Sequence, residues 1–366
     1  MLRKALALIV VLAGIAGSTG CSSSSNHFVY ATLPAANQII AYREDPNSGV
    51  LTQISGSPYS VGDGAISLVL HPNKKFMYVA NPGQGGTPEN DISLFTINTD
   101  GTLTEVTPRT SIAPNASQPQ LLAMDAAGAF LYVMNAGTSN ISVFSINSSS
   151  GALTQVTGSP FSIGLLPLNM VPAPSGNFLY VSVAGGTVGT ANGSIATFSA
   201  NSGVLTLIGV TSTDGVNPYG LTINSAGTYL YVANSQSPSL SIFAIGSSGA
   251  LTQVPGSPIS DGYTNPLAMI FDPTGTYLYV ANKGSNNVVS YLIDSNGLPD
   301  TSTTTNVFGA ESSPAFLATD PSGKYLLVGN QGSSAGIQVF GASNGNLTAL
   351  STYGVGNTPS SIAVLQ

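Results

Sequence analysis

The apolar residues of this chain fall into short runs that recur at nearly constant spacing. The runs are FMYVAN (Phe76–Asn81), FLYVMN (Phe130–Asn135), FLYVSV (Phe178–Val183), YLYVAN (Tyr229–Asn234 and Tyr277–Asn282) and YLLVGN (Tyr325–Asn330), with a diverged FVYATL at Phe28–Leu33. Their last residues are 48, 54, 48, 51, 48 and 48 positions apart. Each run is aromatic and β-branched with little polar alternation, which predicts a strand covered on both faces. A turn precedes it. In Asp272-Pro273-Thr274-Gly275, proline presets φ and glycine accepts a positive φ.

A second motif keeps the same register. Gly-x-Leu-Thr stands at Gly49–Thr52, Gly101–Thr104, Gly151–Thr154, Gly203–Thr206, Gly249–Thr252 and Gly345–Thr348, with a weaker copy at Gly297-Leu298. Between the motifs lies a third strand, as at Asp91–Ile97, and before each YVAN run a fourth, as at Leu267–Phe271. Four strands in a repeat of this length predict the blade of a β-propeller, and seven YVAN-type runs predict seven blades. The chain ends on Thr358–Leu365, a first strand with no YVAN run after it, while Phe28–Leu33 has no first strand before it. The expected fold is therefore all-β: a seven-bladed ring closed by the C-terminal strand completing the N-terminal blade, so that no long edge is left unpaired. The propeller spans residues 27–366 and is expected to be monomeric.

The N-terminus carries a different pattern. Arg3 and Lys4 precede an apolar run from Ala5 to Gly17, too short to span a bilayer comfortably, and Ser18-Thr19-Gly20-Cys21 follows. Residues 1–20 read as a lipoprotein signal peptide, Cys21 as the lipidated N-terminus and Ser22–Asn26 as a polar tether. Ser18 departs from the aliphatic residue usual in that pattern. Cys21 is the chain's single cysteine, so no intrachain disulfide forms. The expected location is the bacterial cell envelope, as an outer-membrane lipoprotein facing periplasm or cell surface, held to the membrane through the lipid on Cys21. Only 6% of residues are charged and the formal net charge is −7, which excludes nucleic acid as a partner.

A site is expected at the propeller mouth, where the loops before each first strand and after each YVAN run share one face. The two residues after each first-strand start run from Ile66-Ser67 to Ser360-Ser361 and contain no His, Arg, Lys, Asp or Glu. Gln120, Asn169 and Tyr219 are the polar candidates among them. Asp214 and Asp261, with Asp63, are each followed by Gly on the same face, and Glu89 and Asp91 lie on a longer loop. Asp-Gly is also a common turn pair. His27 lies at the tether, and His71 occupies the turn position of Asp272 on the opposite face. Neither is placed for proton transfer, and no metal site or cofactor is expected.

The repeats DPTGTYLYVAN, DAAGAFLYVMN and DPSGKYLLVGN, with Gly-x-Leu-Thr between them, resemble the YVTN-repeat and lactonase-type seven-bladed propellers, which include 6-phosphogluconolactonase-like and muconate-cycloisomerase-like proteins. The resemblance covers essentially everything from residue 28 onward. It implies a Gly-Pro-Arg-His segment at the start of one innermost strand; here Asn265-Pro266-Leu267-Ala268 stands in its place, without the cation and the proton-transfer residue. The sequence therefore favours an envelope-anchored, non-catalytic module presenting a neutral polar mouth to a peptide, glycan or protein. Its alternatives are a lactone hydrolase using mouth carboxylates such as Asp214 or Asp261, and a calcium-stabilised adhesion module.

Overall fold

The computed structural model describes residues 27–84, 89–185, 191–260, 262–301 and 306–365. They form seven antiparallel sheets arranged as blades, and the fold is the expected seven-bladed propeller. Counting each blade outward from the axis, blade 2 is Ser67–Leu70, Phe76–Asn81, Asp91–Ile97 and Leu103–Ser111. Blades 3, 4, 5, 6 and 7 repeat that order and begin at Pro119, Pro167, Pro218, Pro266 and Pro314. In blades 1, 3 and 5 the outermost strand is broken into two short pieces, as at Leu51–Gln53 and Tyr59–Ser60. Blade 1 takes its innermost strand, Ser361–Leu365, from the far end of the chain. That strand pairs with His27–Leu33 from Phe28↔Leu365 to Thr32↔Ser361. No helix among the described residues is long and apolar enough to cross a membrane.

The core is divided into seven clusters, one between each pair of adjacent blades. The cluster joining Val29, Ala31 and Ile40 of blade 1 to Ala318, Leu327 and Ile337 of blade 7 closes the ring. This division explains the apolar YVAN runs: each strand is covered by a different neighbour on each face.

The two sequence motifs meet across these interfaces. Tyr30 Oη donates to Gly101 O at 2.9 Å, Tyr78 to Gly151 at 2.7 Å, Tyr180 to Gly249 at 3.1 Å and Tyr231 to Gly297 at 2.8 Å. The YVAN tyrosine of one blade thus holds the Gly-x-Leu hairpin of the next. The aromatic residue two positions earlier lies against the same glycine. A Cβ on Gly151 would come within 2.8 Å of the Phe76 ring, and Gly151 has φ +74°. The glycine is required twice, for its backbone and for the space above the ring.

Gly151→Ala is therefore expected to lower unfolding stability by about 1–3 kcal/mol, measured by chemical denaturation. Burial also pushes the hydroxyls of Tyr132, Tyr180 and Tyr279 up to about 12. An unfolded tyrosine ionises near pH 10, so the stability these groups contribute is complete below that and is lost as pH rises through about 12. The denaturation midpoint should fall between pH 10 and 12.

Candidate functional site

The innermost strands of blades 3 to 7 begin alike. A proline pairs with the last residue of the second strand, and the residue after the proline is skipped in the ladder. Pro167 pairs with Val183 and Asn169 with Ser182, leaving Leu168 as a bulge. Gln120, Tyr219, Leu267 and Ala315 are the skipped residues of the other four. A bulge re-aims side chains, so the skipped residue and its successor both line the axis. They enclose a cavity of about 420 Å³.

The structure brings Gln120, Asn169 and Tyr219 together in that cavity, with Ser67, Ser361 and Gln331. Two of these groups already hold neighbouring blades: Ser67 Oγ accepts from Leu122 N at 3.1 Å and Ser361 Oγ from Leu68 N at 3.3 Å. Asn169 Oδ1 accepts from Met170 N of its own strand at 2.7 Å. Gln120 and Tyr219 have no hydrogen-bond partner among the described residues, which leaves them open to a ligand. Tyr219 is 39% exposed, yet the funnel around it displaces enough water to raise its pKa. Leu267 and Ala268, where the resemblance implies Arg and His, do line the cavity, so the apolar pair stands in the mouth itself.

Among the described residues the cavity lining carries no charged side chain, and one cation touches it from outside. Lys283, half-buried directly after the second strand of blade 6, donates from Nζ to Gln331 Oε1 at 2.8 Å, and Gln331 lines the cavity. The corresponding residues of other blades are Pro82, Ala136, Ala184, Ser235 and Gln331. A cation among them was a readable signal that inspection of the first strands alone passes over.

The aspartates do not converge. Asp214 is exposed, its Oδ1 accepts from Ser212 Oγ at 2.9 Å, and it is absent from the cavity lining. Asp63 Oδ1 accepts from Asn37 Nδ2 at 2.6 Å in another blade. Asp261, like Cys21 and the leader, lies outside the described residues. Glu89 accepts from Asp63 N at 2.8 Å and pairs with Arg109 at 3.2 Å, while Glu105 takes Arg109 Nε at 2.7 Å. Asp91 is raised by burial and accepts from Asn81 Nδ2 at 2.7 Å. These carboxylates are engaged with partners of their own.

The histidines are also structural in placement. His71 Nδ1 accepts from Asn73 N at 3.0 Å and Nε2 donates to Gly128 O at 3.0 Å, which clips the turns of blades 2 and 3. His27 is not part of the tether. It opens the first strand and is buried with Glu44 and Asp320.

With the fold and mouth established, comparison with known proteins is informative. The family model "Lactonase, 7-bladed beta-propeller" matches residues 59–163, 170–264 and 257–364, and the chain belongs to that family. No curated protein sequence matches it. Among solved structures it is similar to a putative 6-phosphogluconolactonase of Bacteroides fragilis, with TM-score 0.76 and 19% identity over 94% of this chain and 99% of that one. It is also similar to the periplasmic gluconolactonase PpgL of Pseudomonas aeruginosa, with TM-score 0.76 and 18% identity over 93% and 99%. At this identity the likeness is one of fold.

Proposed function

We propose that the protein is a binding propeller whose mouth takes a hydroxyl-rich ligand carrying one negative charge and releases it unchanged. Lys283 carries this reading. Its half-buried ammonium meets a neutral amide in the mouth, and no acid pairs with it in any ion pair of the described residues. A partly desolvated cation without a counter-charge is stabilised by an incoming anion. The cavity that Gln331 lines also holds the amide of Gln120, the hydroxyl and ring of Tyr219 and the Asn169 side chain, which suit a sugar-type chain of hydroxyls.

Lactone hydrolysis is the second reading, supported by family membership and by the gluconolactonase fold neighbour. It needs a base for the attacking water and donors for the oxyanion. The cavity lining supplies no carboxylate or imidazole, so the base would have to come from Asp214 or Asp261. Calcium-stabilised adhesion has less support, since Asp63 and Asp214 belong to separate blades.

Calorimetric titration of the full-length chain with gluconate, a neutral hexose and glucono-lactone tests the first reading. Gluconate should bind and the hexose should bind more weakly. Lys283→Met and Tyr219→Ala should each weaken gluconate at least about tenfold, or 1.4 kcal/mol, with unchanged melting temperature. Lactone turnover above the buffer rate that Asp214→Ala or Asp261→Ala removes would overturn it in favour of hydrolysis.

We also infer that Cys21 is acylated and anchors the propeller in the envelope, supported by the short apolar leader and the small residues before the cysteine. Cys21→Ser should move the protein from the membrane to the soluble fraction and abolish incorporation of labelled fatty acid.

A further inference from the structure

The seam where the ring closes holds a buried group of three ligating side chains. His27 and Glu44 come from adjacent strands of blade 1, where they are directly paired, and Asp320 comes from the turn before the second strand of blade 7. They are 2%, 1% and 0% exposed. Nδ1 of His27 lies 3.3 Å from Glu44 Oε2 and 3.8 Å from Asp320 Oδ2, and the three ligand atoms all lie within 4.8 Å of one another.

We propose that His27, Glu44 and Asp320 form a structural site for a divalent transition-metal ion of the Zn²⁺ class, which staples blade 1 to blade 7. Three observations support it. The first is the spacing. A charge-assisted N–H···O⁻ bond runs about 2.7–2.9 Å, shorter than both contacts of His27. A zinc ion with bonds of about 2.0–2.2 Å instead sets tetrahedral edges of roughly 3.3–3.6 Å.

The second is the unmet demand of the carboxylate. Glu44 Oε1 is buried and has no hydrogen-bond partner among the described residues. A buried carboxylate oxygen left in this way is costly. An ion seated between the three groups would satisfy it, with Oε1 or a water as fourth ligand. Asp320 is already oriented from outside: Oδ1 accepts from Tyr325 N at 2.7 Å, and Oδ2 accepts from Ser322 N at 3.0 Å and from the Ser322 hydroxyl. The turn aspartates Asp125 and Asp272 accept the same backbone bond from their own second strands, so this orientation belongs to the turn, and at the seam it holds Oδ2 of Asp320 toward His27.

The third is the repeat itself. The residues at the Glu44 position in the other six blades are Ile97, Ile146, Ala200, Ile245, Ile293 and Ala342, each donating its N–H to the residue that corresponds to His27. Every other blade places an apolar side chain there. Only the seam places an acid at this position, and it does so beside a histidine and a second acid. Lys324, which bears electrostatically on His27, opposes a cation at this site, and the two carboxylates outweigh it. The imidazole donor selects against Ca²⁺ and Mg²⁺, which take oxygen ligands.

Elemental analysis and thermal melting of the full-length, untagged chain test the proposal. After equilibration with micromolar Zn²⁺ and desalting, about one Zn²⁺ per chain should remain. Zn²⁺ should raise the melting midpoint by about 3–5 °C, a chelator should reverse the shift, and millimolar Ca²⁺ should not reproduce it. His27→Gln and Glu44→Gln should each abolish retention, while His71→Gln, which alters the other histidine, should keep it. Should the Gln variants fail to fold, competition of the unaltered chain against a chromophoric Zn²⁺ chelator still reports the site. A folded chain that retains no Zn²⁺, or retention that His27→Gln and Glu44→Gln leave intact, would overturn the proposal.

Discussion

The contact between a glycine of one blade and an aromatic ring of the blade before it sets the geometry of the whole ring. It occurs at every interface. Gly49 lies against Tyr325, Gly101 against Phe28, Gly151 against Phe76, Gly203 against Phe130, Gly249 against Phe178, Gly297 against Tyr229 and Gly345 against Tyr277. All seven glycines have positive φ. The hairpin can lie flat on the ring only because no Cβ intervenes, and this fixes how closely two sheets approach. Repetition of one approach distance around the ring fixes the pitch of the innermost strands and hence the width of the mouth. The pair Gly49–Tyr325 repeats the glycine–ring contact at the seam.

This explains why the fold was legible. A packing device that demands an aromatic residue and a glycine in the next repeat leaves its mark at fixed spacing, and seven copies, six of them with a tyrosine two positions after the aromatic residue, make that mark unmistakable. The cavity was legible for a related reason. In blades 3 to 7 the proline at the start of the innermost strand cannot donate to the ladder, and the bulge beside it turns both following residues toward the axis; the repeat register carried the same reading to Ile66-Ser67 and Ser360-Ser361. Lys283 escaped because it belongs to the loop after the second strand rather than to those pairs. The grouping of His27 and Glu44 with Asp320 could not be read at all. It depends on tertiary closure between opposite ends of the chain, and nothing in the neighbourhood of His27 announces an acid from blade 7.

The repeats that identify the family are the parts that hold blades together, and they carry little chemistry. Tyr231 and Gly297 would be needed whatever the mouth did. The mouth is built from the residues at the start of the innermost strands, and the repeat motifs leave their chemistry unspecified. Leu267 and Ala268 keep the strand, the bulge and the lining and offer neither the cation nor the proton carrier that the resemblance implies there. Fold and activity are encoded at different places in the same repeat, so membership of the family constrains the first far more tightly than the second.

The position of the first strand within its sheet has a mechanical meaning. His27–Leu33 runs between Gln38–Glu44 on one side and Ser361–Leu365 on the other. A force applied to the chain ahead of His27 acts along this interior strand. It must shear both ladders at once, whereas an edge strand could be peeled away one hydrogen bond at a time. A propeller tugged from its N-terminus is thus loaded in shear, through a strand held on both flanks.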